Sequence, residues 1–455
     1  MSNTAYYRQL LFYGLAGLPL AILGLPLYIY LPSFYAQQTG LSLSIIAIVL
    51  LVAYFLNILA GPLVGWLNDR TQSRIGRRKL FMWLGAPLLL VGSEYLLHPA
   101  GGVDGFYLFI WLSIAGFGGT LISVPWHAWG AELTRNYHDK SALAASREIF
   151  IIIGMIIAIA LPKLAATESN TAATLEWLNA LLWGLMPLCL LPALIWLVER
   201  RPFMQFEHMR RMGGILSAHP AIHHLFPAWF ITSFANALPA SLFILFTSHV
   251  LQAPEQMEMA LAVYFLSGVL GLPLWLKLAR LIDKSRVWVL ALCLSAVSLV
   301  WTPLLGAGDL YWFLAICALS GLAFGAEMAL PASMLADVAQ QMQYQGNSQT
   351  GLLFGLWNLL GKLALALAVS MTFPLLDWAG WQETANAIQT PQTLLTLALL
   401  FGGLPVLLKA FVAWRMWHFP FSEVDFHDYW GFSHANSMYS TYPSSVQRGM
   451  GQSDD

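Results

Sequence analysis

Ionisable side chains are costly in hydrocarbon, so those deep inside long apolar runs are the first candidates for function. Lys362 stands in the middle of such a run, in Asn358-Leu359-Leu360-Gly361-Lys362. It is too deep to snorkel easily to an interface, so it must face water, an acid or a solute. Asn358 and Lys362 are four residues apart and share one helix face. Arg147 and Glu148 lie about seven residues into another run, about 10 Å deep at helical rise. Adjacent helical residues point about 100° apart, which directs one of them toward a central cavity and the other toward a flanking helix. The plainer alternative is a snorkelling arginine beside a packed glutamate. Glu327, in Gly325-Ala326-Glu327-Met328, is a candidate partner for Lys362, a proton-binding acid, or a satisfied structural carboxylate. Groups of these types bind a polar solute and move a cation. They do not form a nucleophile with its base.

Neutral and aromatic candidates accompany the charges. Asn57 and Gly61 share a face of one run. Ser123 and Trp126 lie near one face of another, Asn236 stands in a third, and Trp357 is next to Asn358. Aromatic rings beside hydrogen-bonding groups suit a sugar, although any one of the 19 tryptophans can equally serve packing or an interfacial belt. Glu94 and His98 read as an interfacial pair, and His127 reads as a packed histidine. Glu132 and Asp337 read as gate residues paired with loop arginines. No Walker A, G-x-S-x-G, H-E-x-x-H or cysteine-rich ligand set occurs, which argues against an ATP-driven pump, the familiar hydrolases and zinc peptidases. No metal or cofactor is expected beyond a coupling cation.

The elements that must position these residues are membrane helices. The chain of 455 residues is 58% hydrophobic and only 10% charged, against about 25% charge in a soluble domain. The expected fold is therefore all-α and polytopic. Apolar runs place about twelve spans at 10–35, 42–67, 80–98, 105–131, 142–163, 175–198, 223–250, 257–281, 287–306, 310–337, 350–375 and 391–417. The first run is too long for a cleavable signal. Cys189, Cys293 and Cys317 fall in apolar runs without metal-ligand spacing, so no disulfide framework is expected. Lys and Arg crowd the loops on one side, at 70–79, 135–140, 200–211 and 284–286, and are absent from the opposite loops. This places both termini in the cytoplasm, in a bacterial inner membrane. No basic tract suggests nucleic acid; the expected partners are the lipid bilayer and a small solute, and the expected state is monomeric.

The longest polar connection, Glu199–His219, divides six spans from six. Asp69-Arg70 to Lys79 has an echo in Asp283-Lys284-Ser285-Arg286, Pro125 to Glu132 one in Pro331 to Asp337, and Arg147 one in Lys362. All three are offset by one half, as in two parallel pseudo-symmetric six-helix halves. The expected division is an N-terminal half at 1–198, a cytoplasmic linker at 199–222, a C-terminal half at 223–418 and a cytoplasmic tail at 419–455.

The first basic hinge is the most specific stretch. It reads Gly65-Trp66-Leu67-Asn68-Asp69-Arg70-Thr71-Gln72-Ser73-Arg74-Ile75-Gly76-Arg77-Arg78-Lys79. Together with Pro125 to Arg147, Ala336-Asp337-Val338 and the neighbours of Lys362, it resembles the glycoside–pentoside–hexuronide:cation symporters, the melibiose-permease branch of the major facilitator superfamily. The resemblance spans residues 10 to about 415. It implies alternating access by rocking halves and a central site near Arg147 and Lys362. The expected gate and cytoplasmic motif comprise Gly65, Asp69, Arg70, Arg74, Gly76, Arg77, Arg78, Glu132, Asp283 and Asp337. Sodium-coupled members of that family carry acids where this chain has Ala21, Asn57, Gly61 and Ser123. A dehydrated Na⁺ wants several oxygens with net negative charge, so H⁺ coupling through Glu148 or Glu327 is favoured over Na⁺. The expected function is symport of a small polar solute, a sugar or glycoside, with a cation. The alternatives are a lysolipid or other amphiphile transporter of the same fold and, more distantly, a polytopic membrane enzyme.

Overall fold

The computed structural model describes residues 3–39, 41–99, 103–164, 171–199, 219–344, 349–381 and 389–419. The expected tail beyond Phe419 and most of the expected linker lie outside them. The described residues are helical throughout apart from short connections. The first half holds α1 (Asn3–Leu15), α2 (Gly17–Thr39), α3 (Leu43–Arg70), α4 (Arg77–Leu97), α5 (Gly105–Leu133), α6 (Tyr137–Leu164) and α7 (Thr171–Trp196). The second holds α8 (Pro220–Leu245, continued by a π turn, Phe246–Val250), α9 (Met257–Ile282), α10 (Lys284–Leu299), α11 (Leu310–Tyr344), α12 (Thr350–Trp378), α13 (Pro391–Ala398), a π turn (Leu399–Gly403) and α14 (Leu404–Trp417).

Eleven helical segments among the described residues are long and apolar enough to cross a membrane. They match the expected spans from the second to the twelfth. The expected first span is divided at Ala16 into α1 and α2. Backbone groups in hydrocarbon must be satisfied internally, which leaves helices as the solution for these runs. Side-chain caps close several helix ends. Ser42 Oγ accepts from Ile45 N, Asp104 Oδ1 from Tyr107 N and Thr390 Oγ1 from Thr393 N. Leucines, valines and tryptophans such as Leu51, Leu188, Leu270, Leu281 and Trp414 remain exposed on the outer faces, as lipid-facing residues must.

Two helix ends differ from the sequence expectation. Helix α4 begins at Arg77 rather than after the cations, because Gly76, at φ 108°, turns the chain into it. Helix α11 runs on to Tyr344, and Gln341 on this extension hydrogen-bonds His219 at 2.7 Å.

One core unites Tyr13, Leu112, Trp126, Leu182 and their neighbours in the first half. A second unites Leu225, Trp288, Leu335 and Trp357 in the second half and takes in Ala128, Ala131 and Tyr137 from the first. The halves meet along α3 and α12, where small residues permit close backbone approach. A Cβ on Gly355 would meet the carbonyl of Gly61, and one on Gly65 the carbonyl of Gly351.

Candidate functional site

The end of the bundle holding the basic hinge carries two ion clusters. In the first, Glu132 accepts from Arg77 at 2.8 Å and from Arg78 at 2.6 Å. Asp69, 1% exposed, pairs with Arg78 at 2.8 Å. It also reaches into the other half, accepting from Gly351 N at 2.9 Å and Leu352 N at 2.8 Å at the start of α12. A carboxylate at a helix N-terminus satisfies free N–H groups and meets the positive end of the helix dipole. Asn68 accepts from Arg78 and donates to Arg77 O at 2.8 Å. Arg70 lies over the Trp66 ring at 4.0 Å, and Arg74 is exposed.

The second cluster repeats this plan with other residue types. Asp337 pairs with Lys140 at 3.1 Å and Lys284 at 2.6 Å. Its partners are thus lysines where the sequence suggested arginines. Asp283, at φ 82°, accepts from the Tyr137 hydroxyl at the start of α6, as Asp69 meets the start of α12. Lys284 Nζ also donates to Tyr137 O at 2.6 Å, and Ser141 and Ser333 share a hydrogen bond at 2.9 Å across the halves. Both acids therefore join one half to the other at the same membrane face.

Deeper in the bundle, Arg147 and Glu148 pair with each other, at 2.6 Å through Nη2 and 3.0 Å through Nε. This departs from the expectation that neighbours 100° apart face different helices. Both side chains are long enough to bend around the helix surface and meet. The His127 ring lies between Trp126 and Phe354, at centroid distances of 5.2 and 6.4 Å.

Glu327 does not partner Lys362. Its carboxylate is fully buried and takes both oxygens to Lys409 Nζ at 2.8 Å, while Asn236 Nδ2 donates to it at 2.9 Å. Lys409 completes its three donors on Ser295 Oγ at 2.6 Å. Lys362 instead reaches across from α12 to Thr120 Oγ1 on α5, at 3.3 Å. Asn358, one turn before it, has its Oδ1 buried without a hydrogen-bond partner.

The candidate tryptophans are packed. Trp126 is 1% exposed and donates to Tyr13 O at 3.0 Å. Trp357 is 4% exposed and stacks on Trp229 with centroids 4.4 Å apart. Trp229 is the half-buried member of that stack and stands over Gly361, next to Lys362. Asn57 is buried against Gly116, and Ser123 is half-buried. Asn57 also borders an apolar cavity of about 320 Å³ formed by Leu56 and Ala60 of α3, Leu88 of α4 and Ser113, Ile114 and Phe117 of α5. Glu94 and His98 pair at 3.3 Å, both well exposed.

Sequence reasoning missed three of these residues. Lys409 interrupts the last apolar run, and the rule that picked out Lys362 applies to it equally. Glu199 accepts from Arg78 N at 3.0 Å and Lys79 N at 3.3 Å, yet in sequence it is one acid beside Arg200 and Arg201. Trp229 carries no signal that separates it from the other tryptophans.

Residues 12–423 match the family described as MFS/sugar transport protein. Among individual proteins, the chain is 25% identical to the symporter YnaJ of Bacillus subtilis over 83% of this chain and 84% of that one. It is 22% identical to the putative glycoside/cation symporter YagG of Escherichia coli over 83% and 84%. It is also 22% identical to the sodium-dependent lysophosphatidylcholine symporter 1 of Gallus gallus over 87% and 83%. In fold it is similar to the fucose:proton symporter FucP of E. coli, with a TM-score of 0.65 at 12% identity, covering 90% of this chain and 98% of that one. The chain is an integral multi-pass membrane transporter of small solutes and belongs to the MFS/sugar transport family.

Proposed function

We propose that this protein carries a sugar or glycoside by alternating access in symport with a cation. The observation that supports this most is the combination of a latched end and a polar centre. Asp69 and Asp283 tie the halves together at one face, while Lys362 reaches across from α12 toward α5 at mid-depth. A carrier closed at one face and polar in its middle is poised to receive solute from the other face. With the basic hinge in the cytoplasm, this is the outward-facing arrangement. The proposed halves are 1–198 and 223–418, joined by a cytoplasmic linker at 199–222 and followed by a cytoplasmic tail at 419–455, in a monomer of the bacterial inner membrane.

The solute site comprises Arg147, Lys362, Asn358, Asn57, Ser123 and Asn236, with Trp126 and Trp357 as packed supports. Trp229 supplies the sugar-stacking face. H⁺ is the favoured coupling ion. Asn57, Gly61 and Ser123 offer no charge to a dehydrated Na⁺, and Glu148 and Glu327, each paired with a cation, are the two acids that could take up a proton. A second reading, an amphiphile carrier, is favoured by the apolar cavity beside Asn57. In proteoliposomes, uptake of the solute found by thermal-shift screening of sugars, glycosides, uronates and lysolipids should follow a pH gradient and be lost in Lys362→Ala. Uptake driven by Na⁺ alone, or unchanged in that variant, contradicts the assignment.

A further inference from the structure

Lys362 differs from the buried cations of the bundle. Arg147 has Glu148 at 2.6 Å, Lys409 has Glu327 at 2.8 Å, and Lys140 and Lys284 share Asp337. Lys362 has the hydroxyl of Thr120, whose own proton is donated to Gly116 O at 3.0 Å. Among the described residues no carboxylate lies within ion-pair distance of it. Lys362 is half-buried, and an ammonium group only partly reached by water gains from a counter-charge.

Its surroundings are neutral and under-satisfied. Asn358 Oδ1, one turn away on the same face, lacks a donor. Asn57, packed on Gly116 one turn from Thr120, brings an amide rather than an acid. The Arg147–Glu148 and Glu327–Lys409 pairs each sum to zero, so Lys362 leaves the centre of the bundle with one uncompensated positive charge.

We infer that the transported solute carries a fixed negative group, a carboxylate, sulfonate or phosphate, and that Lys362 is its counter-ion. Asn358 Oδ1 accepts a hydrogen bond from the same solute, and the half-buried Trp229 covers its apolar side. The inference rests on the central site proposed above and specifies its chemistry. A neutral glycoside leaves Lys362 as lonely after binding as before it. An anion gains a charge-assisted hydrogen bond, about ten- to hundredfold in affinity. The negative group has two possible carriers, a sugar acid or a lipid headgroup. A lipid would lay its chain along the apolar hollow between α3, α4 and α5 that Asn57 borders.

The test is thermal unfolding of the purified full-length protein at constant ionic strength. The probes are glucuronate and glucose 6-phosphate against glucose, and lysophosphatidate against monoacylglycerol. The expected result is half-maximal stabilisation at a concentration at least about tenfold lower for an anionic member than for its neutral twin. Lys362→Gln should remove the preference and Lys362→Arg should keep it. A preference confined to lysophosphatidate assigns the lipid source. Equal shifts for both twins, a preference that survives Lys362→Gln, or no anion-specific shift in the parent overturns the inference. A neutral sugar that still stabilises the protein in a Lys362-dependent way refutes the charge assignment alone. A central site that no water-soluble reagent reaches refutes the reading beneath it.

Discussion

Asp69→Asn isolates the charge of the latch at the basic-hinge face while keeping its shape. The buried carboxylate makes two hydrogen bonds to the start of α12 and one ion pair to Arg78. Charge-assisted hydrogen bonds are worth about 1.5–3 kcal/mol each, and a buried anion at a helix N-terminus up to about 2 kcal/mol. Asparagine retains one acceptor oxygen, so the expected loss is about 2–4 kcal/mol of latch energy. At about 1.4 kcal/mol per decade, the closed-to-open ratio falls by about one and a half to three decades. Arg78 keeps Glu132 at 2.6 Å, so the first half should stay folded. Spin labels at Thr71→Cys and Arg286→Cys, in a background with Cys189, Cys293 and Cys317 replaced, would report the separation of the halves at this face. A new, longer distance should appear with Asp69→Asn. An unchanged distance distribution in a folded variant would refute the claim that this charge holds the halves together.

Two further predictions concern packing and pairing. Lys409→Met should lower thermal stability by about 3–5 kcal/mol, because it strands a buried carboxylate. Adding Glu327→Leu should recover most of that loss, and a double variant as unstable as the sum of the singles would contradict a self-contained pair. Gly355→Ala places a methyl against the Gly61 carbonyl and Pro62 Cα, both backbone, and should disfavour the latched state by about 1–3 kcal/mol. The same spin-label distance should lengthen; a distance like the parent's would show that the seam yields without opening.

Much of this architecture was legible because lipid imposes simple rules. Runs of apolar residues located the spans, and the asymmetry of Lys and Arg set the expected orientation. Spacing in Gly65 to Lys79 exposed the hinge, and Glu132 took the arginine partners that its position suggested. What sequence could not supply was pairing. Which group meets Lys362 depends on helix rotation, and the answer, a threonine on α5, follows from packing between distant segments. Arg147 and Glu148 pair because long side chains bend, which a helical wheel ignores. Trp126 and Trp357 looked like stacking platforms by composition, whereas their rings fill the cores.

The central claim is a water-filled position between the halves whose access changes sides. It is tested most directly at Asn358→Cys, in the background lacking the three native cysteines, with a membrane-impermeant maleimide applied to right-side-out and inside-out vesicles. The account predicts labelling from the outer face in the parent latch, and a rise in inner-face labelling when Asp69→Asn is added. Labelling from neither face, or inner-face labelling that ignores Asp69→Asn, would contradict it.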